Sequence, residues 1–288
     1  MEVDKRGLVS TIFAGLLFGT SVPVIKLGLY FIPPDTFVTL RFLFASALIV
    51  FPLQGRGWVQ WDLLSSRQIW IIGFINALGY VLQFQGQLIT SASNAALIIS
   101  TAALMIPVLS LIYVHEKMGM RKIAGVLSGF IGIVLLVTRG QAVNLGSSEV
   151  LGDFLILGTA VTIALVFVLS KDLVEKKGGR PVTGGIILVT AMLLLPTSAL
   201  DLNSSFNLAP VALFYVVFLA VFATVGAYYF FMKGLESVSP TISSIILPIE
   251  VVVAVTLSVI IFGDPFNLYS GTGALLIIAG VVLVSSAD

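Results

Sequence analysis

The chain has 288 residues, of which 58% are hydrophobic and 10% charged, with a formal net charge of +1 and no cysteine. A mean hydropathy of +1.11 lies far outside the usage of soluble globular domains and is that of a membrane protein. The small net charge, without a basic tail, argues against nucleic-acid binding, and the missing cysteines exclude disulfides, thiolate nucleophiles and cysteine-held metals.

A helix needs about 20 mostly apolar residues to cross roughly 30 Å of hydrocarbon. Ten stretches qualify: 8–29, 35–53, 68–88, 93–113, 120–138, 152–170, 182–200, 210–232, 239–262 and 268–286. Continuous apolar runs, rather than alternation over about 10 residues, speak against a barrel. The expected fold is all-α, a polytopic bundle of ten transmembrane helices. Lys5 and Arg6 precede the first run as in a signal peptide, but the run is too long and no A-x-A site follows, so it reads as an uncleaved span. That span holds Pro23, Lys26 and the pair Gly15 and Gly19. The second carries Asp35 and Arg41, and Trp58, Trp61 and Trp70 cluster about the loop behind it as interfacial anchors.

In the third span Gly73, Asn76, Tyr80, Gln83 and Gln87 recur at spacings of three and four, a polar stripe on one helical face. The fourth holds Asn94, Ser100, Thr101 and Pro107. His115, the single histidine, sits beside Glu116 in a cationic loop and reads as solvated. Gly125 and Gly129 in the fifth span let helices approach closely, within the chain or in a weak homodimer. Pro23, Pro107 and Pro248 each interrupt a helical hydrogen bond and permit bending. In the ninth span Glu250 lies near the midplane on a narrow face with Ser239, Ser243 and Ala254. Asp264 before Pro265 has the form of a helix N-cap, and Asn203 begins a short N-S-S motif.

Lys5, Arg6, Arg56, Arg67, Lys117, Arg121, Lys122, Lys171, Lys176, Lys177, Arg180 and Lys233 fall on the side of the N-terminus, and Arg139 alone on the other. The positive-inside rule then places both termini in the cytoplasm and the chain in the cytoplasmic membrane. Gly7 and Lys26 recur as Gly152 and Lys171, Pro52 as Pro196, and Glu116, Gly125 and Gly132 as Asp264, Gly273 and Gly280, all at offsets of 144 to 148. The chain divides into repeats at 1–143 and 144–288. Five helices are an odd number, so the second repeat enters the membrane inverted, an architecture of secondary transporters with a site at the repeat interface. The duplication matches the third-span stripe with Phe222, Gly226, Tyr229 and Lys233 of the eighth span.

Several segments also resemble a known family: FGTSVPVIKLG in the first span, PPDTFVTLRFLFASALIV in the second, SNAALIISTAALMIPVLSLIYVHEKMGMRKIAGVLSGFIGIVLL across the fourth and fifth, and SPTISSIILPIEVVVAVTLSVIIFGDPFNLYSGTGALLIIAGVVLV at the end. They resemble the drug/metabolite transporter superfamily in its ten-helix EamA-type branch, over nearly the whole chain. Departures are Val251 where a proline often follows the glutamate, and Asp264 where glutamate is common. The resemblance implies an exporter of amino acids, other metabolites or drugs, with length and topology like those of aromatic amino-acid exporters. It also implies a central cavity bounded by helices 1, 3, 4, 6, 8 and 9, with 5 and 10 peripheral.

An unpaired charge at the bilayer centre costs about 2.5–3.5 kcal/mol on insertion scales. Glu250 is therefore read as a ligand for a substrate amine or as a proton-coupling carboxylate, against the alternative of a structural residue bonded to a neighbouring helix. Arg41 is a candidate for a substrate carboxylate or for pairing with Asp35, whereas Lys26 is expected to snorkel outward. Asn76, Tyr80, Gln83, Gln87, Asn94, Ser243, Phe222 and Tyr229 complete the candidate substrate site, each with the plainer alternative of interhelical bonding or core filling. An amphipathic small molecule suits such a wall. No metal or other cofactor is expected. Paired acids, a metal cluster or a nucleophile with its base are not evident, so the chain reads as a transporter. An integral-membrane enzyme acting on a lipid or small metabolite is the alternative, and a channel lacks its ring of charges.

Overall fold

The computed structural model describes residues 5–53, 56–113, 119–138, 148–198, 209–238, 240, 243, 248–263 and 267–285. His115, Glu116, Arg139, Asn203, Ser239, Asp264 and Pro265 lie outside them. Helices fill the ten expected spans: Lys5–Gly28, Pro34–Val50, Arg67–Ile89, Ala92–Tyr113 in two pieces, Met120–Thr138, Ser148–Lys177, Gly179–Leu194, Pro210–Leu235, Pro248–Phe262 and Leu268–Ser285. Among the described residues there is no strand. The first, third, fourth, sixth and eighth are each long and apolar enough to cross a bilayer, and shorter apolar helices make up parts of the fifth, seventh, ninth and tenth. The second, of 17 residues, carries Asp35 and Arg41.

Proline sets two of the starts. Pro34 and Pro210 occupy the first helical turn, where a missing N–H costs nothing and φ is already helical. Gly178, at φ +86°, turns the sixth span into the seventh in one residue, a conformation that a side chain disfavours. The sixth span departs from expectation in length. Its 30 residues measure about 45 Å at 1.5 Å per residue, so it overshoots the hydrocarbon layer.

Two other departures concern helix continuity. The fourth span breaks into Ala92–Ile99 and Ala102–Tyr113. At the break the Ser100 and Thr101 hydroxyls donate to the carbonyls of Leu97 and Ile98, and the backbone tightens to i→i−3 bonds such as Ala103 N–H to Ser100 O at 3.0 Å. Side-chain hydroxyls that bond their own helix bend it. In the eighth span Leu219–Gly226 is a π-helix, with the Thr224 hydroxyl donating to Leu219 O at 2.8 Å.

The packing maps onto itself when each span is exchanged for the one five places away. The third packs on the sixth as the first does on the eighth, the third on the seventh as the second on the eighth, and the fourth on the sixth as the first on the ninth. The second and seventh, the fourth and ninth, and the fifth and tenth are self-paired. The fifth and tenth lie against each other at the side of the bundle. Their seam is made by glycines: a Cβ on Gly132 would stand 2.6 Å from Gly273 O, and one on Gly280 would meet Gly125 O and Gly129. The Gly125 and Gly129 face is thus used within the chain, the first of the two roles read for it. Gly132→Leu is expected to lower stability by about 1–3 kcal/mol through overpacking, read as thermal melting in detergent; an unchanged melting curve would show that the seam can part.

Candidate functional site

Six spans converge on a cavity of about 40 Å³: the first contributes Phe18 and Ser21, the third Tyr80 and Gln83, the fourth Ile99, Ser100 and Ala102, the sixth Ile163 and Phe167, the eighth Tyr228 and the ninth Glu250. These are the six helices that the resemblance implied. Glu250 enters from the start of Pro248–Phe262, and among the described residues no cation or hydrogen-bond donor engages its carboxylate. The cavity wall opposite is aromatic. Phe18 meets Tyr228 edge-on with centroids 5.6 Å apart, and Phe167 stacks on Phe231 at 3.8 Å.

Arg41 stands directly behind this wall, fully buried. Its Nε donates to Thr224 Oγ1 at 2.7 Å, one Nη to Ser21 Oγ at 3.4 Å, and the other to Ala223 O at 3.0 Å and Tyr80 Oη at 3.5 Å. The guanidinium carbon lies 4.8 Å from the centroid of the Tyr80 ring, within cation–π range. Ala223 and Thr224 belong to the π segment, whose wider turn leaves a carbonyl free to accept from outside the helix. No carboxylate pairs with Arg41 among the described residues. Asp35 instead accepts from Gln85 Nε2 at 2.8 Å, so the alternative of an Arg41–Asp35 pair is corrected. Ser21 and Tyr80 touch Arg41 and also line the cavity, so that a cation and an acid, neither with a counter-ion among the described residues, lie on the two sides of one wall.

The remaining candidates divide. Tyr80 and Gln83 line the cavity. Asn76 supports it from behind, accepting from the Tyr228 hydroxyl and donating to Thr190 Oγ1 at 3.0 Å. Gln87, Asn94 and Ser243 are buried away from it, with the Gln87 amide, Asn94 Nδ2 and Ser243 Oγ unpartnered among the described residues. Phe222 is 48% exposed and lies tilted against Phe218 with centroids 5.1 Å apart, so it belongs to the outer surface. The reason is the π segment, which shifts the helical face so that Ala223 and Thr224 turn inward. Tyr229 packs on Trp58 with centroids 5.1 Å apart, near the end of the span and away from the cavity. The residue that enters is Tyr228, and one sequence signal marks it: the offset of 148 that relates Gly125 to Gly273 also relates Tyr80 to Tyr228. Phe18, Ser21 and Phe167 carried no signal beyond membership of the lining helices.

Lys26 is tied to a neighbouring helix end. Its Nζ donates to the carbonyls of Gln87 at 2.6 Å and Thr90 at 2.7 Å, capping the end of the third span, where a helix leaves carbonyls unpaired and the dipole favours a cation. The equivalent Lys171 does the same for the eighth span, donating to Leu235 O at 2.7 Å and Val238 O at 3.1 Å. Gly152 packs against Gly86 O beside the first cap, and Gly7 against Gly234 O beside the second. Lys26→Met and Lys171→Met are each expected to cost about 1.5–3 kcal/mol, the worth of hydrogen bonds from a charged group. Thermal melting checks this, and parental stability in either variant would show that water serves those carbonyls as well.

A model of the EamA-like transporter family matches residues 5–138 and again 150–286. Over 287 residues the chain is 26% identical to the uncharacterized transporter YyaM of Bacillus subtilis, covering 96% of this chain and 90% of the other. It is 25% identical over 272 residues to an uncharacterized transporter of Archaeoglobus fulgidus, covering 93% and 94%. It is also 24% identical over 300 residues to the uncharacterized inner membrane transporter YicL of Salmonella typhimurium, covering 99% and 97%. A crystal structure 20% identical in sequence superposes with a TM-score of 0.73 over 97% of this chain and 96% of that one, a likeness of fold.

Proposed function

We propose that this chain, which belongs to the EamA-like transporter family and is a multi-pass membrane transporter, carries a zwitterionic amphipathic metabolite, an amino acid with an aromatic or other apolar side chain, across the cytoplasmic membrane by alternating access. One observation carries the reading: Glu250 and the residues that hold Arg41 line one cavity, and among the described residues Glu250 has no partner and Arg41 no counter-ion. An α-carboxylate suits a guanidinium fork, an α-ammonium suits a carboxylate, and Phe18, Phe167 and Tyr228 supply an apolar wall for the side chain. Tyr80 and Gln83 supply hydroxyl and amide groups, and Arg41 is reached through rotation of Ser21 and Tyr80.

The size of the cavity supports a moving mechanism. At about 40 Å³ it matches one or two waters at roughly 30 Å³ each, well short of an amino acid. The spans must part on one face and then the other. The two irregular segments, the break at Ser100–Thr101 and the π segment at Leu219–Gly226, adjoin it and supply places to bend. The bias of cations toward the N-terminal side supports both termini in the cytoplasm, and the resemblance to exporters alone supports export.

The test is counterflow of labelled amino acids in sealed vesicles holding the purified protein. Saturable exchange of aromatic amino acids, competed by their unlabelled forms but not by analogues lacking the amine or the carboxylate, is expected. Exchange indifferent to both groups would refute the zwitterion reading. Conversion of solute into a different product would establish the integral-membrane enzyme instead.

A further inference from the structure

A second concave site lies away from the cavity, where the ends of the second, sixth and eighth spans meet on the side of the N-terminus. It is a dish of about 370 Å³ edged by Arg56, Lys177, Arg180 and Lys233, with Tyr229 and Glu236 in its wall. Its charges are unbalanced. The nearby Lys171 and Lys176 are ion-paired, to Glu175 at 2.9 Å and Asp172 at 2.7 Å. Among the described residues Arg56, Lys177, Arg180 and Lys233 have no such acid. Glu236, the one carboxylate in the wall, accepts the Gly179 N–H at 2.6 Å and so is spent on the start of the seventh span.

Two of the four cations, Arg180 and Lys233, gather over one ring. The Arg180 guanidinium carbon lies 5.8 Å and Lys233 Nζ 5.6 Å from the Tyr229 centroid, and Lys233 donates to the Tyr229 hydroxyl at 3.3 Å. Tyr229 is seated in turn on the buried Trp58. Four like charges around one concavity repel, and a multivalent anion relieves the repulsion. A tetrahedral oxyanion offers several acceptors to convergent guanidinium and ammonium donors, more than one carboxylate can. Depth in the membrane narrows the source. Trp61, 61% exposed, follows Gln60 of the rim, and an exposed indole at a helix end marks the headgroup level, where basic pockets between spans take anionic lipid heads.

We propose that this dish binds a phosphate-bearing anion, supplied by the headgroup of an anionic phospholipid of the same leaflet. The assignment stands apart from the transport reading and does not depend on the substrate. The experiment adds phosphatidylglycerol, phosphatidylcholine or inorganic phosphate to the purified full chain in detergent, and reads retained lipid by native mass spectrometry and stability by thermal melting. Phosphatidylglycerol is expected to be retained and to raise the melting temperature above the phosphatidylcholine level. Lys177→Gln with Arg180→Gln should weaken this about fivefold for each cation removed, whereas Arg67→Gln with Lys176→Gln, equal in charge but outside the dish, should leave it intact. A shift with inorganic phosphate alone, lost in the dish pair, would keep the anion site and assign it to solution. No shift with either anion, or equal loss in both pairs, would overturn the proposal, because a diffuse surface potential would then account for the effect.

Discussion

Arg41→Met is expected to weaken substrate exchange while the protein stays folded, and Arg41→Ala to weaken exchange and also destabilise the bundle by about 2–5 kcal/mol, the range for emptying a large buried side chain. The two variants differ because of what each leaves behind. Both strand the Ala223 carbonyl that the guanidinium serves at 3.0 Å, but alanine also opens a hole among Ser21, Tyr80, Ala223 and Thr224. Methionine fills most of the volume and removes a charge that was costly to bury, and exchanging a buried ion for an apolar group is often neutral or favourable. Neither can hold a carboxylate. A desolvated charge pair is worth about 2–5 kcal/mol, so half-saturation for substrate should rise on the order of a hundredfold by the scale of 1.4 kcal/mol per tenfold. Counterflow and melting measured on the same preparations separate the effects. Normal exchange in the methionine variant would show that the guanidinium only braces the π segment.

Glu250→Gln is expected to keep the melting temperature and lose exchange. The substitution keeps shape and removes charge at a carboxylate with no partner among the described residues, so folding loses nothing there. A charged hydrogen bond to a substrate ammonium is worth about 1.5–3 kcal/mol, or roughly ten- to hundredfold in half-saturation. Analogues separate this loss from that at Arg41: binding of a substrate lacking its amine should be insensitive to Glu250→Gln, and one lacking its carboxylate insensitive to Arg41→Met. If the carboxylate couples protons instead, the variant should retain counterflow and lose only the response to an imposed pH gradient. Full exchange with full pH response would reduce Glu250 to scaffolding.

Much of the bundle was legible because insertion in lipid leaves few solutions. Ten apolar runs, a one-sided distribution of cations and paired landmarks such as Lys26 and Lys171 are composition and order, which a sequence displays directly. Glu250, Tyr80 and Gln83 were legible for a related reason: a polar group in an apolar helix must face something. What escaped depends on where a helix stops being regular. No residue type encodes the π segment at Leu219–Gly226, and matching the third-span stripe to the eighth span at an offset of 146 picks Phe222 and Tyr229, whereas the offset of 148 picks Tyr228. The hydroxyls of Ser100 and Thr101 look like ordinary bonds to their own helix, and only the packed bundle shows that they mark a break. Lys26 finds its carbonyls 61 and 64 residues away, a distance over which local pattern is silent.

The shelter of Arg41 has a consequence for how the chain is made. Thr224, its nearest acceptor, lies 183 residues downstream, and at synthesis rates of about 5–20 residues per second the ribosome needs roughly 10 to 40 s to deliver it. Through that interval the second helix holds a cation that lipid disfavours, with Ser21 and Tyr80 as its available partners. A nascent chain halted before Leu219 leaves it there without the Ala223 and Thr224 acceptors.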